Sequence, residues 1–247
     1  MGNVRTEEVK LTVDGKEMRA FLALPEASGP RPAVIVFQEI FGVNAHIRDV
    51  TARVAREGYV AIAPDYHHRA WAPGTELPYD DEGMKKGMEV IPKLTFEGIE
   101  ADINATISFL KSRKEVNPSK LGVMGFCIGG HMAYLAAATQ PIAAAASFYG
   151  GGIATFGPGG TKKTIERTGD IKGKILCFFG KEDPMISQDQ VAAIKKALEE
   201  HKVRHEVVVY DNASHAFFRD VDPRMHREAA AKDAWERTKR LFKEELG

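Results

Sequence analysis

Residues 121–139 read LGVMGFCIGGHMAYLAAAT, and this stretch decides the fold. Its first six residues predict a strand, and the small and apolar residues from Ile128 to Thr139 predict a helix directly afterwards. Between them lies G-F-C-I-G, which is the strand–turn–helix pattern G-x-S-x-G with Cys127 in place of the serine. The stretch therefore predicts a strand, a sharp turn that carries Cys127, and a helix.

The glycines of this turn have a steric explanation. The turn strains its central residue, and side chains two residues before and two after it would collide, so Gly125 and Gly129 are needed. Cys127 is lifted above the sheet edge at a helix N-terminus, where the dipole stabilises a thiolate. The alternative is that Cys127 is a small buried hydrophobe and the glycines only allow close packing. Cys177 lies in the apolar run 175–179 and is predicted to be a core residue.

Strands and helices alternate on both sides of this stretch. The predicted strands are 7–13, 17–24, 33–37, 59–63, 121–126, 143–149, 174–179 and 206–210, and the predicted helices are 46–57, 95–113, 128–139, 187–200 and 223–245. The turn Asp14-Gly15 predicts an antiparallel hairpin at the start. Residues 66–94 are predicted to be an irregular excursion with room for one short helix. This order predicts a mostly parallel sheet with helices on both faces, in a single domain over residues 1–247.

Composition excludes several classes of function. Among 247 residues, 34 Lys and Arg balance 34 Asp and Glu, so there is no electrostatic reason to expect nucleic acid or an anionic membrane as partner. The two cysteines have no C-x-x-C neighbour, and no zinc-like cluster is visible, so a reducing, cytoplasmic location without a structural metal is expected. The charged start predicts no secretory signal, and no apolar run reaches the length of a membrane span.

Two later strand ends supply the acid and the base that such a nucleophile needs, in the order nucleophile, acid, base. His215, after the eighth predicted strand, is expected to hold Cys127 as a thiolate and then to protonate the leaving oxygen. Asp183, after the seventh, is expected to accept the other ring N–H and fix the tautomer. Alternatively, Asp183 only starts a turn before Pro184, Glu182 takes its place, or His215 is structural. Six other histidines lack such partners: His67, His68, His131, His201, His205 and His226. Most of them are predicted to be surface or loop residues. His67 and His68 follow a strand end and are predicted to lie near the pocket.

Four short motifs carry a resemblance to a known family. They are Q-E-I-F-G at 38–42, P-D-Y at 64–66, G-F-C-I-G-G at 125–130 and H-A-F at 215–217. With them the chain resembles, over essentially its whole length, the dienelactone hydrolases, also called carboxymethylenebutenolidases. The resemblance implies a monomeric α/β-hydrolase fold that opens a cyclic enol-lactone in chlorocatechol breakdown and needs no metal or organic cofactor.

The resemblance also assigns residues around the thiol. In the family, the glutamate of Q-E-I-F-G takes part in activating the cysteine when substrate binds, and here it is Glu39. A carboxylate at a strand end beside a thiol would perturb it, although a salt bridge of Glu39 with Arg48 or Arg69 is the alternative. The backbone N–H groups of Ile40 and Ile128 are expected to form the oxyanion hole.

Substrate-binding residues match the family only in part. The family holds the substrate carboxylate with arginines, and Arg219 matches one of them. The stretch expected to supply the other has no arginine, so Lys85 or Lys86 could substitute with a point charge instead of a bidentate fork. Trp71 and Tyr79 are candidate pocket aromatics.

The function expected from the sequence is hydrolysis of an activated lactone or ester, similar to dienelactone, through a cysteine thioester. The alternatives are a carboxylesterase of broad range on short acyl esters and a catalytically silent binding protein of the same fold. The expected partner is the small-molecule substrate, and a monomer or weak homodimer is the expected state.

Overall fold

The computed structural model describes residues 3–26 and 28–247, and eight strands and six α-helices lie within these ranges. The strands are β1 (Val4–Val13), β2 (Lys16–Pro25), β3 (Arg31–Phe37), β4 (Val60–Pro64), β5 (Val116–Phe126), β6 (Ala144–Phe148), β7 (Lys174–Gly180) and β8 (Arg204–Tyr210). The helices are α1 (Ala45–Arg56), α2 (Asp81–Met88), α3 (Phe96–Ser112), α4 (Ile128–Thr139), α5 (Gln188–Glu200) and α6 (Glu228–Leu246). The sheet order is β1-β2-β4-β3-β5-β6-β7-β8.

The chain divides into two compact units, Met1–Gly122 and Val123–Gly247. In the first unit, β1 and β2 form the predicted antiparallel hairpin, and its turn residues Asp14 and Gly15 have φ of 50° and 75°. Positive φ at both positions is what a tight hairpin turn demands, which explains the Asp-Gly pair. Strand β2 pairs antiparallel with β4, and β4 pairs parallel with β3.

In the second unit, β6, β7 and β8 are parallel neighbours. Strand β6 is buried at every residue, as is β7 after its first residue. Burial on both faces explains why these strands show apolar runs without alternation. The predicted mostly parallel sheet with an N-terminal antiparallel hairpin is confirmed. A single domain over residues 1–247 stays a prediction, which one cooperative unfolding transition would support.

Three details differ from the sequence prediction. Residues 66–94 hold α2 and two short 3-10 helices, Tyr66–Arg69 and Ile91–Lys93, and are more regular than expected. Helix α6 begins at Glu228, five residues after the predicted start at Pro223, because the chain first turns where the Met225 N–H donates to the Asp222 carbonyl.

His131 is not a surface residue. It lies in α4 with 1% of its surface exposed, and its two ring nitrogens lie 2.9 Å from the Gly151 carbonyl and 2.7 Å from Thr164 Oγ1. Burial lowers the pKa of His131 to about 4, so the ring is a neutral structural group.

Within residues 3–26 and 28–247, none of the helices combines the length and the apolar character that crossing a bilayer requires.

Candidate active site

The turn between β5 and α4 holds Cys127 in a strained conformation. Its φ of 57° and ψ of −122° lie where non-glycine residues are rare, and such strain persists only where the surroundings fix it. The Cys127 N–H donates to the Phe148 carbonyl at 3.1 Å, and its own carbonyl accepts from the N–H groups of Gly130 and His131 at 2.9 and 3.2 Å. These bonds to β6 and to the first turn of α4 fix the backbone that carries the sulfur.

Gly130 allows this turn to approach β6 closely. A Cβ at this position would lie 2.5 Å from the Phe148 carbonyl oxygen and 2.9 Å from Gly150 Cα. Only glycine fits there without a backbone shift. The second glycine of the G-G pair is therefore a steric requirement that the sequence argument, built on Gly125 and Gly129, did not include.

The two cysteines have different surroundings. Cys127 is partly exposed, whereas Cys177 lies in β7 with no exposed surface. Desolvation by burial raises the pKa of Cys177 to about 12, so it stays a neutral thiol at neutral pH. Of the two, only Cys127 is open to a reagent or substrate.

The loops that follow β7 and β8 lie side by side. The two strands are in parallel register to their last residues, Gly180 opposite Tyr210. Beyond them, the Glu182 N–H donates to the Ala213 carbonyl at 2.9 Å, and the Ser214 hydroxyl donates to the Glu182 carbonyl at 3.2 Å. A Cβ at Gly180 would lie 2.3 Å from the Ala213 carbonyl oxygen, so glycine is needed for this close approach.

Asp183 and His215 meet across these two loops. Nδ1 of His215 lies 2.8 Å from Oδ2 of Asp183, and the other carboxylate oxygen accepts from the Met185 N–H at 2.8 Å. Both side chains are buried, while the rival Glu182 is exposed. A carboxylate fixed at Nδ1 places the proton there and leaves Nε2 for acid–base chemistry.

The electrostatic environment of His215 favours its protonated form. Burial alone would lower the pKa of the ring, but a Cys127 thiolate and the Asp183 carboxylate outweigh burial and raise it to about 10. Nε2 is buried, and a side-chain hydrogen bond with Cys127 is among the effects that raise this pKa. The structure therefore places Cys127 and Asp183 where both act electrostatically on His215. The protonated His215 ring can balance the charge of a thiolate.

Glu39 and Ile40, in the first unit, lie two and three residues after Phe37, where β3 ends. Glu39 is fully buried, and its Oε2 lies 3.4 Å from the Tyr79 hydroxyl, which in turn accepts from Asn44 at 2.9 Å. The alternative, a salt bridge of Glu39 with Arg48 or Arg69, stays a prediction. Arg48 Nη1 lies 2.6 Å from Glu76 Oε1. Arg69 lies 2.7 Å from the carboxylate of Asp102 and 3.2 Å from that of Asp14.

One predicted pocket residue of α2, Lys86, lies with Lys93 close to the Trp71 ring. Lys86 Nζ lies 5.7 Å from the Trp71 ring centroid, and Lys93 Nζ lies 5.8 Å from it, within the range of a cation–π contact. Lys85 is exposed and has no such contact in the described residues. Lys93 was not predicted, and no short motif marks it.

Arg219 is placed four residues after His215, with 5% of its surface exposed. Its Nη1 lies 3.7 Å from Asp222 Oδ2, while Asp222 also accepts from Arg224 Nε at 2.9 Å. A guanidinium binds carboxylates well, and Arg219 stays the predicted ligand of a substrate carboxylate.

A groove of about 450 Å³ in the first unit is lined by residues of the hairpin together with Arg48, Asp65 and Glu76. None of the predicted catalytic or substrate-binding residues lines this groove.

The mostly parallel sheet, its N-terminal hairpin and the strand–turn–helix at Cys127 define an α/β-hydrolase fold. The dienelactone hydrolase family model matches residues 18–246, and the chain belongs to this family. The resemblance found in the sequence is thereby confirmed.

Known relatives agree over nearly the full length. A Synechocystis sp. protein named as a carboxymethylenebutenolidase is 42% identical, and the match covers 99% of this chain and 98% of that protein. A Bradyrhizobium sp. protein named as a 2-oxo-3-(5-oxofuran-2-ylidene)propanoate lactonase is 31% identical, covering 93% and 90%. A crystal structure described as a dienelactone hydrolase of Klebsiella pneumoniae has a TM-score of 0.87 at 33% identity, covering 98% and 99%. The chain is a hydrolase that acts on lactones or carboxylic esters.

Proposed function

We propose that this hydrolase opens an activated, carboxylate-bearing lactone through a thioester on Cys127. The observation that supports this most directly is the 2.8 Å bond between His215 and Asp183, together with the effect of Cys127 on the same ring. A nucleophile, a base and a group that orients the base are the parts that acyl transfer requires.

In the first step, the Cys127 thiolate attacks the lactone carbonyl. A carbon–sulfur bond forms, and the π electrons of the carbonyl move to its oxygen. The Ile128 N–H, which begins α4 and so lacks an intrahelical acceptor, donates to this oxyanion. The Ile40 N–H is its predicted second donor.

In the second step, the tetrahedral intermediate collapses. The carbonyl re-forms, the ring carbon–oxygen bond breaks, and the leaving oxygen takes the proton of the His215 imidazolium. The acyl group is now a thioester. Because a thiolate is a weak base that is readily expelled, this step favours enol-lactones and activated esters over amides.

In the third step, water hydrolyses the thioester. Neutral His215 removes a proton from the water as the oxygen attacks, and the carbon–sulfur bond breaks to restore the thiolate beside an imidazolium. Asp183 keeps Nδ1 protonated throughout, so that the same Nε2 serves as acid and then as base. The predicted role of Glu39 in activating the thiol stays a prediction, and Glu39→Gln tests it.

The carboxylate on the substrate is proposed from the cations and from a relative. Arg219 carries a buried guanidinium and lies four residues after His215 in the sequence, while Lys86 and Lys93 place positive charge around Trp71. The name of the Bradyrhizobium relative describes a furanone-ylidene lactone that carries a carboxylate. A state of monomer or weak homodimer, a cytoplasmic location and the absence of a nucleic-acid partner all stay predictions.

A substrate panel tests the proposal. We expect the highest kcat/KM on a carboxylate-bearing enol-lactone, a lower value on its methyl ester, and a lower value again on p-nitrophenyl acetate. Cys127→Ala should abolish all three activities, while Cys177→Ala serves as the matched thiol control and should keep them. Equal rates on the acid and its methyl ester would instead favour the broad carboxylesterase, and retained turnover by Cys127→Ala would overturn the mechanism.

A further inference from the structure

The 3-10 helix Tyr66–Arg69 follows β4 and lies against the end of β3. Strands β3 and β4 are parallel neighbours, with Ile35 opposite Ile62, so their carboxyl ends reach the same edge of the sheet. Residues 38–40 leave β3 at this edge and belong to the same compact unit as Tyr66.

Side chains of this 3-10 helix face three consecutive backbone carbonyls. The buried Tyr66 hydroxyl lies 2.8 Å from the Glu39 carbonyl oxygen and 3.0 Å from that of Gln38. Nε2 of His67 lies 3.1 Å from the Ile40 carbonyl oxygen, but its Nδ1 lies 2.8 Å from the Thr75 carbonyl oxygen. Burial lowers the pKa of His67, so a neutral ring has one N–H for these two acceptors. The Tyr66 hydroxyl likewise has one hydrogen, and the Glu39 carbonyl oxygen is the nearer of its two acceptors.

The bond to Glu39 bears on the predicted oxyanion donor. The Glu39 carbonyl and the Ile40 N–H belong to one peptide unit, which is trans. In a trans peptide the two groups point in opposite directions, so a donor that fixes the carbonyl also fixes the direction of the N–H. A hydrogen bond to the carbonyl also polarises the peptide and strengthens its N–H as a donor. Within residues 3–26 and 28–247, no acceptor takes the Ile40 N–H.

The 3-10 helix itself is firmly anchored. The Asp65 carboxylate accepts from the N–H groups of His67 and Gly74 at 2.9 and 2.6 Å. On the other side, His68 Nε2 lies 2.8 Å from Oδ1 of the buried Asp102 in α3, and Arg69 Nε donates to Oδ2 at 2.7 Å. Tyr66 thus projects from a segment with little freedom to move.

We propose that Tyr66 is a positioning residue of the oxyanion hole, which acts by holding the Glu39–Ile40 peptide so that the Ile40 N–H is aimed and polarised for the transition state. This inference rests on the proposed function. Tyr66 contacts no reacting atom in the proposed reaction and acts only through the Glu39–Ile40 peptide. Its removal should therefore weaken binding of the transition state more than binding of the substrate.

Tyr66→Phe tests the inference because it removes one hydroxyl and keeps the ring. We expect kcat on an activated ester to fall about tenfold or more, less than the roughly 10²- to 10³-fold loss typical of removing a whole oxyanion donor. KM should change little. The inhibition constant of a trifluoromethyl ketone, whose adduct with the thiolate carries an oxyanion, should rise by a similar factor. The rate of Cys127 alkylation by iodoacetamide should stay at the wild-type value, because that displacement forms no oxyanion.

Tyr134→Phe is the matched control. It also removes a buried phenol hydroxyl, here 2.7 Å from Thr168 Oγ1, and should keep the wild-type kcat and inhibition constant. Wild-type kcat in Tyr66→Phe would overturn the positioning role, as would a fall in kcat matched by an equal fall in alkylation. Cys127→Ala measured in parallel separates the two hypotheses, because retained turnover there would overturn the proposed function itself.

Discussion

Nδ1 of His215 lies 2.8 Å from Oδ2 of Asp183, and both side chains are buried. The two residues follow neighbouring parallel strands, and backbone hydrogen bonds between their loops fix the contact before any substrate binds. A base that is already oriented needs no reorganisation during the reaction, which is how fixed polar groups lower a barrier.

Replacing Asp183 by Asn should remove most of the activity without unfolding the protein. The amide can present an N–H to Nδ1, which favours the wrong tautomer and takes Nε2 out of use as a base. We expect kcat to fall about 10²- to 10⁴-fold, by comparison with the same change in serine enzymes. Steady-state kinetics on an activated ester measures this. Glu182→Gln changes the exposed neighbour and should stay near wild type, and equal losses in both variants would refute the assignment.

Stability should decrease as the pH rises through the alkaline range. The pKa of His215 is raised from 6.5 to about 10, so the folded state binds this proton more tightly than the unfolded chain does. The resulting stabilisation is complete below pH 6.5 and is lost as the pH rises through about 10. Urea unfolding at a series of pH values across this window measures the free energy of unfolding. His215→Gln lacks the titrating ring and should show a smaller decline, and an identical pH dependence would contradict the raised pKa.

Alkylation of the native protein should separate the two cysteines. Cys127 is partly exposed and interacts with His215, whereas Cys177 is buried and the pKa of its thiol is raised to about 12. Iodoacetamide should therefore label one residue, Cys127, as peptide mass spectrometry can show. Cys177→Ala should react at the wild-type rate, and His215→Gln more slowly at neutral pH because the imidazolium no longer stabilises the thiolate. Rapid labelling of Cys177 in the folded protein would contradict this prediction.

The parts of the structure that local chemistry determines could be predicted from the sequence. Helix α4 has the predicted bounds, since a tight glycine turn on one side and the end of the small-residue run on the other define it. The Asp14-Gly15 hairpin could be predicted because its backbone conformation restricts the residues that can form it. Asp183 and His215 could be predicted because parallel strands bring their carboxyl ends together.

Helix α2 shows why the position of some elements could not be predicted, although one short helix was allowed for in this stretch. Its two glycines argue against a helix on propensity alone. In the structure, a Cβ at Gly83 would lie 2.0 Å from the Pro78 carbonyl oxygen, and one at Gly87 would lie 2.8 Å from that of Ile40. The glycines are present because the helix packs against backbone, and such tertiary contacts leave no periodic pattern in the sequence.

The contact between Tyr66 and the Glu39 carbonyl was equally beyond prediction. Both residues lie in motifs that the sequence analysis singled out, but a hydrogen bond from a side chain to a backbone carbonyl places no demand on the identity of the accepting residue. Only the register of β3 and β4 shows that the two motifs meet.

Gly130 is also required because a side chain there would clash with backbone, and not because of its own backbone conformation. Gly130→Ala would place a Cβ 2.5 Å from the Phe148 carbonyl oxygen, so α4 or β6 must shift. A clash between backbone segments in a packed core should cost about 1–3 kcal/mol in the free energy of unfolding. It should also lower kcat, since Cys127 N–H bonds to the same carbonyl. Gly151→Ala is the control: a Cβ there meets nothing within 4 Å, so it should change stability by less than about 0.5 kcal/mol. Urea unfolding and ester kinetics are measured on both variants. Wild-type stability in Gly130→Ala would contradict the steric requirement.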